Sequence, residues 1–314
     1  MKEIILDCDP GHDDAIAMML AIGNSEKLRV SCISTVGGNQ ILEKTTVNAL
    51  DLLYLMKANI PVVAGQKGPL VRPLEIAENV HGKSGLDGPL IESSPYRPLD
   101  RNFIDVYTDI LKASEQKVTI VATGPQSNIA TFILARPELK HKIEQIVFMG
   151  GSCFGGNWSP KAEFNIYVDP EAAQIVANSG IPLVMCGLDV THKATVTTQE
   201  VEDFSRIGNR TGVVLKELID FYAKTAGKDF LCEDEGPKIR LHDVTTIAYL
   251  LRPDIFTSRE LFVTIDTSNS PYSRGATIVD YDKLYSKTPN MRVCFGIDRS
   301  TFVNELFAAV KKLP

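Results

Sequence analysis

The sequence predicts an α/β fold, in which helices flank an open, mostly parallel, Rossmann-like sheet. Short apolar runs typical of buried strands alternate with longer segments of helical periodicity. Polar residues and glycines follow several of the apolar runs, as they do at the carboxyl ends of parallel strands that line a ligand site. Because no change in composition marks a linker, we expect residues 1–314 to form a single domain.

The alternation is clearest from the start of the chain to residue 188. Strands are predicted at residues 4–6, 28–36, 61–65, 118–122, 143–149 and 183–188, and helices from residue 13 and at 40–56, 99–114, 125–134 and 170–178. Each strand is an apolar run bounded by turn residues, and each helix has apolar residues three and four positions apart. The segment 66–98 is rich in Gly and Pro, so we expect a long loop that covers a ligand.

The later part of the chain is more helical. It predicts helices at residues 198–208, 212–226 and 241–251, strands at 261–266, 276–281 and 292–297, and a closing helix at 301–313. The first two of these strands follow each other closely enough to form a hairpin or part of a meander. The fold class therefore includes extra C-terminal helices and a small antiparallel addition.

Four carboxylates stand within eight residues where the first strand passes into the first helix. They are Asp7, Asp9, Asp13 and Asp14, and they repel one another unless a cation or shared protons compensate. Hard oxygen ligands without Cys or His suit Ca²⁺ or Mg²⁺ better than Zn²⁺. An EF-hand is excluded because Met18 stands where its loop needs Glu. The alternative is that Asp13 only caps the helix and that the other three carboxylates are exposed to solvent.

Further polar residues follow other predicted strands and gather at one edge of the expected sheet. They are Asn39, Thr123, Asn157, Glu163 and Asn165, with His242 and Asp243 at the start of a later helix. Glu163 and Asn165 have strand-like spacing and are expected to face the same way. Each could alone be a turn, cap or core residue, but together they suit a divalent metal and a polyhydroxylated ligand.

Composition and charge exclude several classes of partner. A net charge of −6 gives no basic surface for nucleic acid or anionic membranes. No apolar run approaches the roughly 20 residues that span a bilayer, and the first residues enter a strand directly, so we expect a cytoplasmic protein. Six scattered cysteines without a Cys-x-x-Cys pair predict reduced thiols rather than disulfides or a zinc site.

Residues 7–15, Asp-Cys-Asp-Pro-Gly-His-Asp-Asp-Ala, resemble the signature of the calcium-dependent nucleoside hydrolases, which include inosine-uridine-preferring enzymes. Further motifs of that family are matched in the expected order. They are Gly38-Asn39-Gln40, His81-Gly82, Thr123-Gly124-Pro125, Met149-Gly150-Gly151, residues 162–165, residues 169–173 and His242-Asp243. The resemblance extends over nearly the whole chain and implies hydrolysis of the N-glycosidic bond of ribonucleosides to free base and ribose.

The resemblance also implies roles for individual residues. Ca²⁺ would be held by Asp9, Asp14, the backbone carbonyl of Thr123 and Asp243, with Asp9 also the general base. His242 would be the general acid that protonates the leaving base. The implied ribose contacts are Asp13, Asn39, Asn157, Glu163 and Asn165, and His81 would contact the base. Family members commonly form homodimers or homotetramers.

Residues 81–89, 156–158 and 188–193 are similar to the pyrimidine-preferring branch, which favours uridine and cytidine. Residues 224–240, in the part of the chain that supplies base contacts in relatives, do not match that branch well, so a purine-preferring or broad enzyme is the alternative. Val244 replaces the usual Pro and Ser127 the usual Thr, and we expect neither change to abolish metal binding.

Two more distant hypotheses belong to other functional classes. A phosphoaspartyl phosphatase would use Asp7 as nucleophile and Asp9 as acid and base, but would leave Asp13 and Asp14 unexplained. A non-catalytic Ca²⁺- or ribose-binding protein would be stabilised by ligand without turnover. The glycines of residues 150–156 suggest a phosphate cradle, but no phosphate-binding glycine motif is present, and they are better explained as a loop bordering a ligand.

Overall fold

The computed structural model describes residues 1–225, 230–233 and 236–314, with side chains described outside 226–237. The strands are β1 (Lys2–Cys8), β2 (Leu28–Thr35), β3 (Val62–Ala64), β4 (Val118–Ala122), β5 (Ile143–Met149), β6 (Leu183–Cys186), β7 (Thr195–Thr197), β8 (Phe230–Glu233), β9 (Gly236–Arg240), β10 (Phe256–Leu261), β11 (Val263–Ile265), β12 (Thr277–Val279) and β13 (Met291–Ile297). The helices are α1 (His12–Ile22), α2 (Leu42–Leu55), α3 (Glu78–His81), α4 (Phe103–Ala113), α5 (Ser127–Ala135), α6 (Phe164–Val168), α7 (Pro170–Ala177), α8 (Leu188–Thr191), α9 (Thr198–Ser205), α10 (Arg210–Thr225), α11 (Val244–Leu251) and α12 (Arg299–Val310), with short 3₁₀ helices at Pro137–Lys142 and Pro253–Ile255.

An eight-stranded sheet in the order β10-β13-β6-β5-β4-β1-β2-β3 forms the centre of the molecule. All neighbouring strands run parallel except β10, which is antiparallel to β13 at one edge. Side chains of β1 alternate between the two faces: Ile4 and Leu6 belong to one apolar cluster and Ile5 to the other. The predicted α/β fold with a mostly parallel sheet is confirmed.

Helices cover both faces of the sheet. Helices α1, α11 and α12 contribute apolar side chains to the cluster on one face, and α4, α5 and α7 to the cluster on the other. Among the described residues, the structure contains no helix with both the length and the apolar character needed to cross a membrane.

Strand β1 lies between β2 and β4, so the strand order reverses there. The chain leaves β1 towards β2 and β3, then returns to the other side of β1 to form β4. In open parallel sheets, ligands bind outside the carboxyl ends of strands at such a reversal. The fold therefore places the residues that follow β1 and β4 at the expected position of a ligand site.

Three smaller features differ from the sequence prediction. The hairpin of β11 and β12 is antiparallel as predicted, but the strand predicted at 261–266 is divided, because Leu261 ends β10 and Val263 begins β11. A second antiparallel sheet, β7-β9-β8, was not predicted. The long segment 66–98 contains one helical turn, α3, and is otherwise without regular structure.

Candidate active site

Carboxylates from distant parts of the sequence meet at the end of β1. Asp13 and Asp14 lie in the first turn of α1, and Asp243 is the N-cap of α11. One carboxylate oxygen from each of the three lies within 4.8 Å of the other two, and all three side chains are buried. Three acidic groups this close can share a divalent cation through their oxygens.

Asp9 lies beside this cluster and is also fully buried. Its Oδ2 accepts a hydrogen bond of 2.7 Å from the backbone N–H of Asn39, whereas its Oδ1 has no hydrogen-bond partner among the described residues. A Cβ atom at Gly38 would lie 2.1 Å from Oδ2 and one at Gly124 2.6 Å from Oδ1. Only glycine at these two positions lets the backbone approach the Asp9 carboxylate so closely.

Asp14 is held by donors from three segments. Its Oδ1 accepts 2.6 Å from the Thr123 hydroxyl, and its Oδ2 accepts 3.0 Å from the Gly11 backbone and 3.1 Å from the Asn39 amide. These bonds fix the carboxylate next to the end of β4. The Thr123 carbonyl accepts 2.7 Å from the amide of Asn165.

Burial makes the charged forms of these groups unfavourable. Desolvation raises the pKa of Asp9 well above its usual range, and the neighbouring Asp14 adds to the rise. Desolvation also raises the pKa of Asp243 well above the ordinary value, with Asp13 and Asp14 contributing. The pKa of Asp13 is raised to about 6 by desolvation and then by Asp14. The cluster therefore needs shared protons or a bound cation.

A cavity of about 270 Å³ opens beside the carboxylates. It is lined by the predicted residues Asp13, Asn39, His81, Thr123, Asn157, Glu163, Asn165, His242 and Asp243. Asp9 and Asp14 are completely buried in the adjoining acidic cluster. The structure thus brings together all eleven residues proposed from the sequence, from segments spread over most of the chain.

Glu163 and Asn165, which have strand-like spacing in the sequence, lie at the start of helix α6 in the structure. Glu163 is its N-cap: its carboxylate accepts from the backbone N–H groups of Asn165 at 2.9 Å and Ile166 at 3.2 Å, and also from Gly151 at 2.9 Å. A carboxylate with these backbone donors satisfies the helix end and so favours the helix over a strand. The two side chains nevertheless both line the cavity, as predicted.

His81 ends α3 and is buried against the start of α1. Its Nδ1 lies 3.1 Å from Nδ1 of His12 and 3.2 Å from the His12 backbone nitrogen. The His12 ring also packs face to face with Phe221 and Tyr222, and its Nε2 lies 2.8 Å from the Asp87 carbonyl. The expected covering segment is thus anchored to α1 and α10 beside the acidic cluster.

His242 is buried directly before Asp243. Its Nδ1 lies 2.7 Å from the hydroxyl of Thr191, the last residue of α8. The ring of His192 approaches it edge-on, with centroids 6.0 Å apart. This geometry fixes the imidazole ring at the wall of the cavity.

Several lining residues were not found by sequence reasoning. They include Asn79 on α3 and Tyr222 and Thr225 at the end of α10. Their local sequence gives no signal, since Tyr222 belongs to the apolar face of α10 and Asn79 lies on the single helical turn of a segment without sequence periodicity. Most of the atypical segment 224–240 lies outside the described side chains.

Comparison with known proteins identifies the family. The sequence profile for "inosine-uridine preferring nucleoside hydrolase" matches residues 4–304. The chain belongs to this family. Nucleoside hydrolases break the N-glycosidic bond of nucleosides, so the chain is an enzyme with a small nucleoside substrate, as the sequence resemblance implied. The family is metal-dependent, and the acidic cluster of three aspartates provides a place for a metal.

Known relatives match the sequence of this nucleoside hydrolase over nearly its whole length. The pyrimidine-specific ribonucleoside hydrolase RihA of Klebsiella pneumoniae is 46% identical over 304 residues, 96% of each chain. RihA of Escherichia coli O6:H1 is 48% identical over 309 residues, 98% of each chain. A solved purine-preferring ribonucleoside hydrolase from Gardnerella vaginalis superimposes with a TM-score of 0.90 at 31% identity, covering 99% of this chain and 98% of that one.

Proposed function

We propose that this enzyme hydrolyses pyrimidine ribonucleosides, uridine and cytidine, to free base and ribose in the presence of Ca²⁺. The observation that carries the proposal is the buried acidic cluster beside a cavity lined by amides, carboxylates and two histidines. The relatives named pyrimidine-specific ribonucleoside hydrolase, at 46% to 49% identity, support the choice of base.

The donor set fits a calcium ion. The ion would be held by Asp9, Asp14, Asp243 and the Thr123 carbonyl. Asp13 is close enough to contribute a carboxylate oxygen as well. All of these are hard oxygen donors, and the Oδ1 of Asp9 is buried with no hydrogen bond in the described structure. When bound, Ca²⁺ would lower the pKa of a water molecule and orient the ribose diol.

Asp9 takes the proton of the attacking water in this proposal. Its Oδ2 is fixed by the Asn39 backbone, which leaves Oδ1 as the oxygen able to accept the proton. Burial and the neighbouring Asp14 raise the pKa of Asp9 in the metal-free cluster, and a bound cation would lower it again by stabilising the carboxylate.

The ribose would lie against the polar wall of the cavity. The side chains proposed to contact it are Asp13, Asn39, Asn157, Glu163 and Asn165. Ribose hydroxyls both donate and accept, so a wall of amides and carboxylates matches them. The carboxylates of Asp13 and Glu163 would also favour the positive charge that develops on the sugar as the glycosidic bond breaks.

Two histidines would serve the leaving base. We assign the general acid to His242, which lies next to Asp243 at the cavity wall, and base contact to His81 on the covering segment. Departure of a pyrimidine anion is slow without a proton, and an imidazole supplies one near neutral pH.

The first experiment measures ribose release from uridine, cytidine, inosine and adenosine, with Ca²⁺ and after chelation. The proposal predicts Ca²⁺-dependent release, faster from the two pyrimidine nucleosides. A faster reaction with inosine or adenosine would favour the second candidate, a purine-preferring enzyme, which the 31% identity to the Gardnerella vaginalis protein supports. No ribose from any of the four would contradict both candidates.

We also propose a cytoplasmic homodimer or homotetramer. Five cysteines are free thiols in the described chain, which fits a reducing compartment. Light scattering coupled to gel filtration tests the assembly, and a monomeric mass at micromolar concentration would contradict it.

A further inference from the structure

The hydroxyl of Thr191 and the ring of His242 form a buried pair beside the cavity. The distance from Oγ1 to Nδ1 is 2.7 Å, and the side chains are 0% and 4% exposed. We propose that Thr191 is a positioning residue, which holds the His242 ring in the orientation needed to protonate the leaving base. This inference rests on the proposed role of His242 as general acid.

The Thr191 hydroxyl bonds directly to the ring of His242. Among the described residues, its hydrogen bond to His242 is the only one the Thr191 side chain makes. The backbone is fixed independently, because the Thr191 N–H donates 3.0 Å to Gly187 and its carbonyl accepts 3.1 Å from Ala194. A buried hydroxyl without a partner is unfavourable, so the Thr191 hydroxyl and the imidazole orient each other.

A hydroxyl is well suited to this position because it can both donate and accept. It donates to Nδ1 when that nitrogen is unprotonated and accepts from it when it carries hydrogen. The bond therefore persists whichever nitrogen holds the proton, whereas a carbonyl partner would bind only the protonated Nδ1. Fixing Nδ1 also fixes the direction of Nε2 on the opposite edge of the ring.

The element that carries Thr191 adds a second restraint. Helix α8 directly follows β6, and its C-cap residue His192 packs edge-on against His242. The ring of His242 is thus contacted by Thr191, the last residue of α8, and by His192, which follows it. His242, the proposed general acid, lies in a distant part of the sequence, directly before the start of α11.

The test compares two ribosides that differ in their need for a leaving-group proton. Uridine needs one, whereas p-nitrophenyl riboside releases a stable anion without it. In the presence of Ca²⁺, we expect Thr191→Val to lower kcat for uridine about ten- to hundredfold and to change kcat for the nitrophenyl substrate less than about threefold. Thr191→Ser, which keeps the hydroxyl, should restore most of the uridine activity.

A matched control is Thr211→Val. Thr211 is equally buried, and its hydroxyl donates 2.7 Å to the Pro314 carbonyl, far from the ring of His242 along α10. Thr211→Val should show a similar change in melting temperature but equal, near-normal activity on both substrates. If Thr191→Val does not fold, Thr191→Ala is assayed with the same pair.

The outcomes separate the inference from the proposed function. His242→Ala is the reference, and equal losses on both substrates would overturn its role as acid and the inference with it. A selective loss for His242→Ala with an equal loss on both substrates for Thr191→Val would overturn the inference alone. Full uridine activity in Thr191→Val would overturn it as well.

Discussion

Asp9 combines one oxygen held by the Asn39 backbone with one that has no partner in the described structure. We expect Asp9→Ala to lower kcat for uridine at least about a thousandfold, since it removes both a proton acceptor and a proposed metal ligand. The fold should be retained, because the variant removes a buried charge rather than an apolar contact. Steady-state kinetics and circular dichroism check both statements.

The control for Asp9 is Asp169→Ala. Asp169 is also completely buried, but it accepts from Ser127 at 2.6 Å and caps α7 through the Ala172 N–H. This variant should lose stability while the folded fraction keeps near-normal kcat. Near-normal turnover in Asp9→Ala would exclude Asp9 as the base.

Part of the site follows from the residues alone. The density of carboxylates after β1 predicted a metal there, and the structure confirms that Asp13 and Asp14 are buried together. Asp243 could be assigned as a metal ligand only through the family resemblance, because no local sequence pattern indicates which helix begins near β1. Thr191 carried no signal, since its role comes from a contact across 51 positions of sequence.

At the scale of elements, α3 and the turn after it depend on one carboxylate. Asp87 accepts from the backbone N–H of Lys83 at 2.9 Å and of Ser84 at 3.0 Å, and its carbonyl lies 2.8 Å from His12. We expect Asp87→Ala to loosen this turn and to raise KM for uridine about tenfold, a cost of ~1.4 kcal/mol, with a smaller effect on kcat. His81, the proposed base contact, would lose its position.

The control variant loosens the other end of the segment 66–98. Asp51 accepts 2.7 Å from the Ser94 N–H and so anchors the far end of the segment. Asp51→Ala should leave KM within about twofold of the parent value. A similar rise in KM for both variants would mean that the whole segment responds together, which would contradict a specific role for the turn at Asp87.

Elements with a strong apolar pattern were predicted well, and those without one were not. Strands β1, β4 and β5 contain apolar runs and lie in the centre of the sheet. Strand β10 was missed because it lies at the edge, and its four central residues are exposed and mostly polar or charged. The short strands β7 and β9 pair outside the main sheet, where partners rather than sequence decide the conformation.

At the scale of the molecule, the prediction that residues 1–314 form one domain can be tested by unfolding. Trp158, the single tryptophan, lines the cavity and packs on Phe164, so its fluorescence reports on the site. Circular dichroism reports on all helices. With Ca²⁺ present, we expect the two urea transitions to coincide. A fluorescence transition well before the loss of helix would contradict a single cooperative domain.

The pH dependence of stability follows from the buried carboxylates. Desolvation raises the folded-state pKa of Asp13 to about 6 from 3.8, and it also raises those of Asp9 and Asp243 well above their ordinary value. At these three carboxyl groups the folded protein without metal thus binds more protons than the unfolded chain above about pH 4. Their contribution to stability therefore falls as pH rises through their folded-state pKa values. A calcium ion bound as proposed would replace these protons, so its stabilising effect would grow as pH rises.

We therefore expect the increase in melting temperature on adding millimolar Ca²⁺ to be small at pH 5 and to reach several degrees at pH 8, because protons compete with the ion for the same oxygens. Differential scanning fluorimetry with Ca²⁺ or chelator across this range measures it. In Asp243→Asn, one carboxylate of the cluster becomes a neutral amide of similar shape, so both the calcium effect and the decline with pH should shrink. A calcium shift of equal size at every pH would show that the ion does not bind through these carboxylates, and would remove the metal from the proposed site.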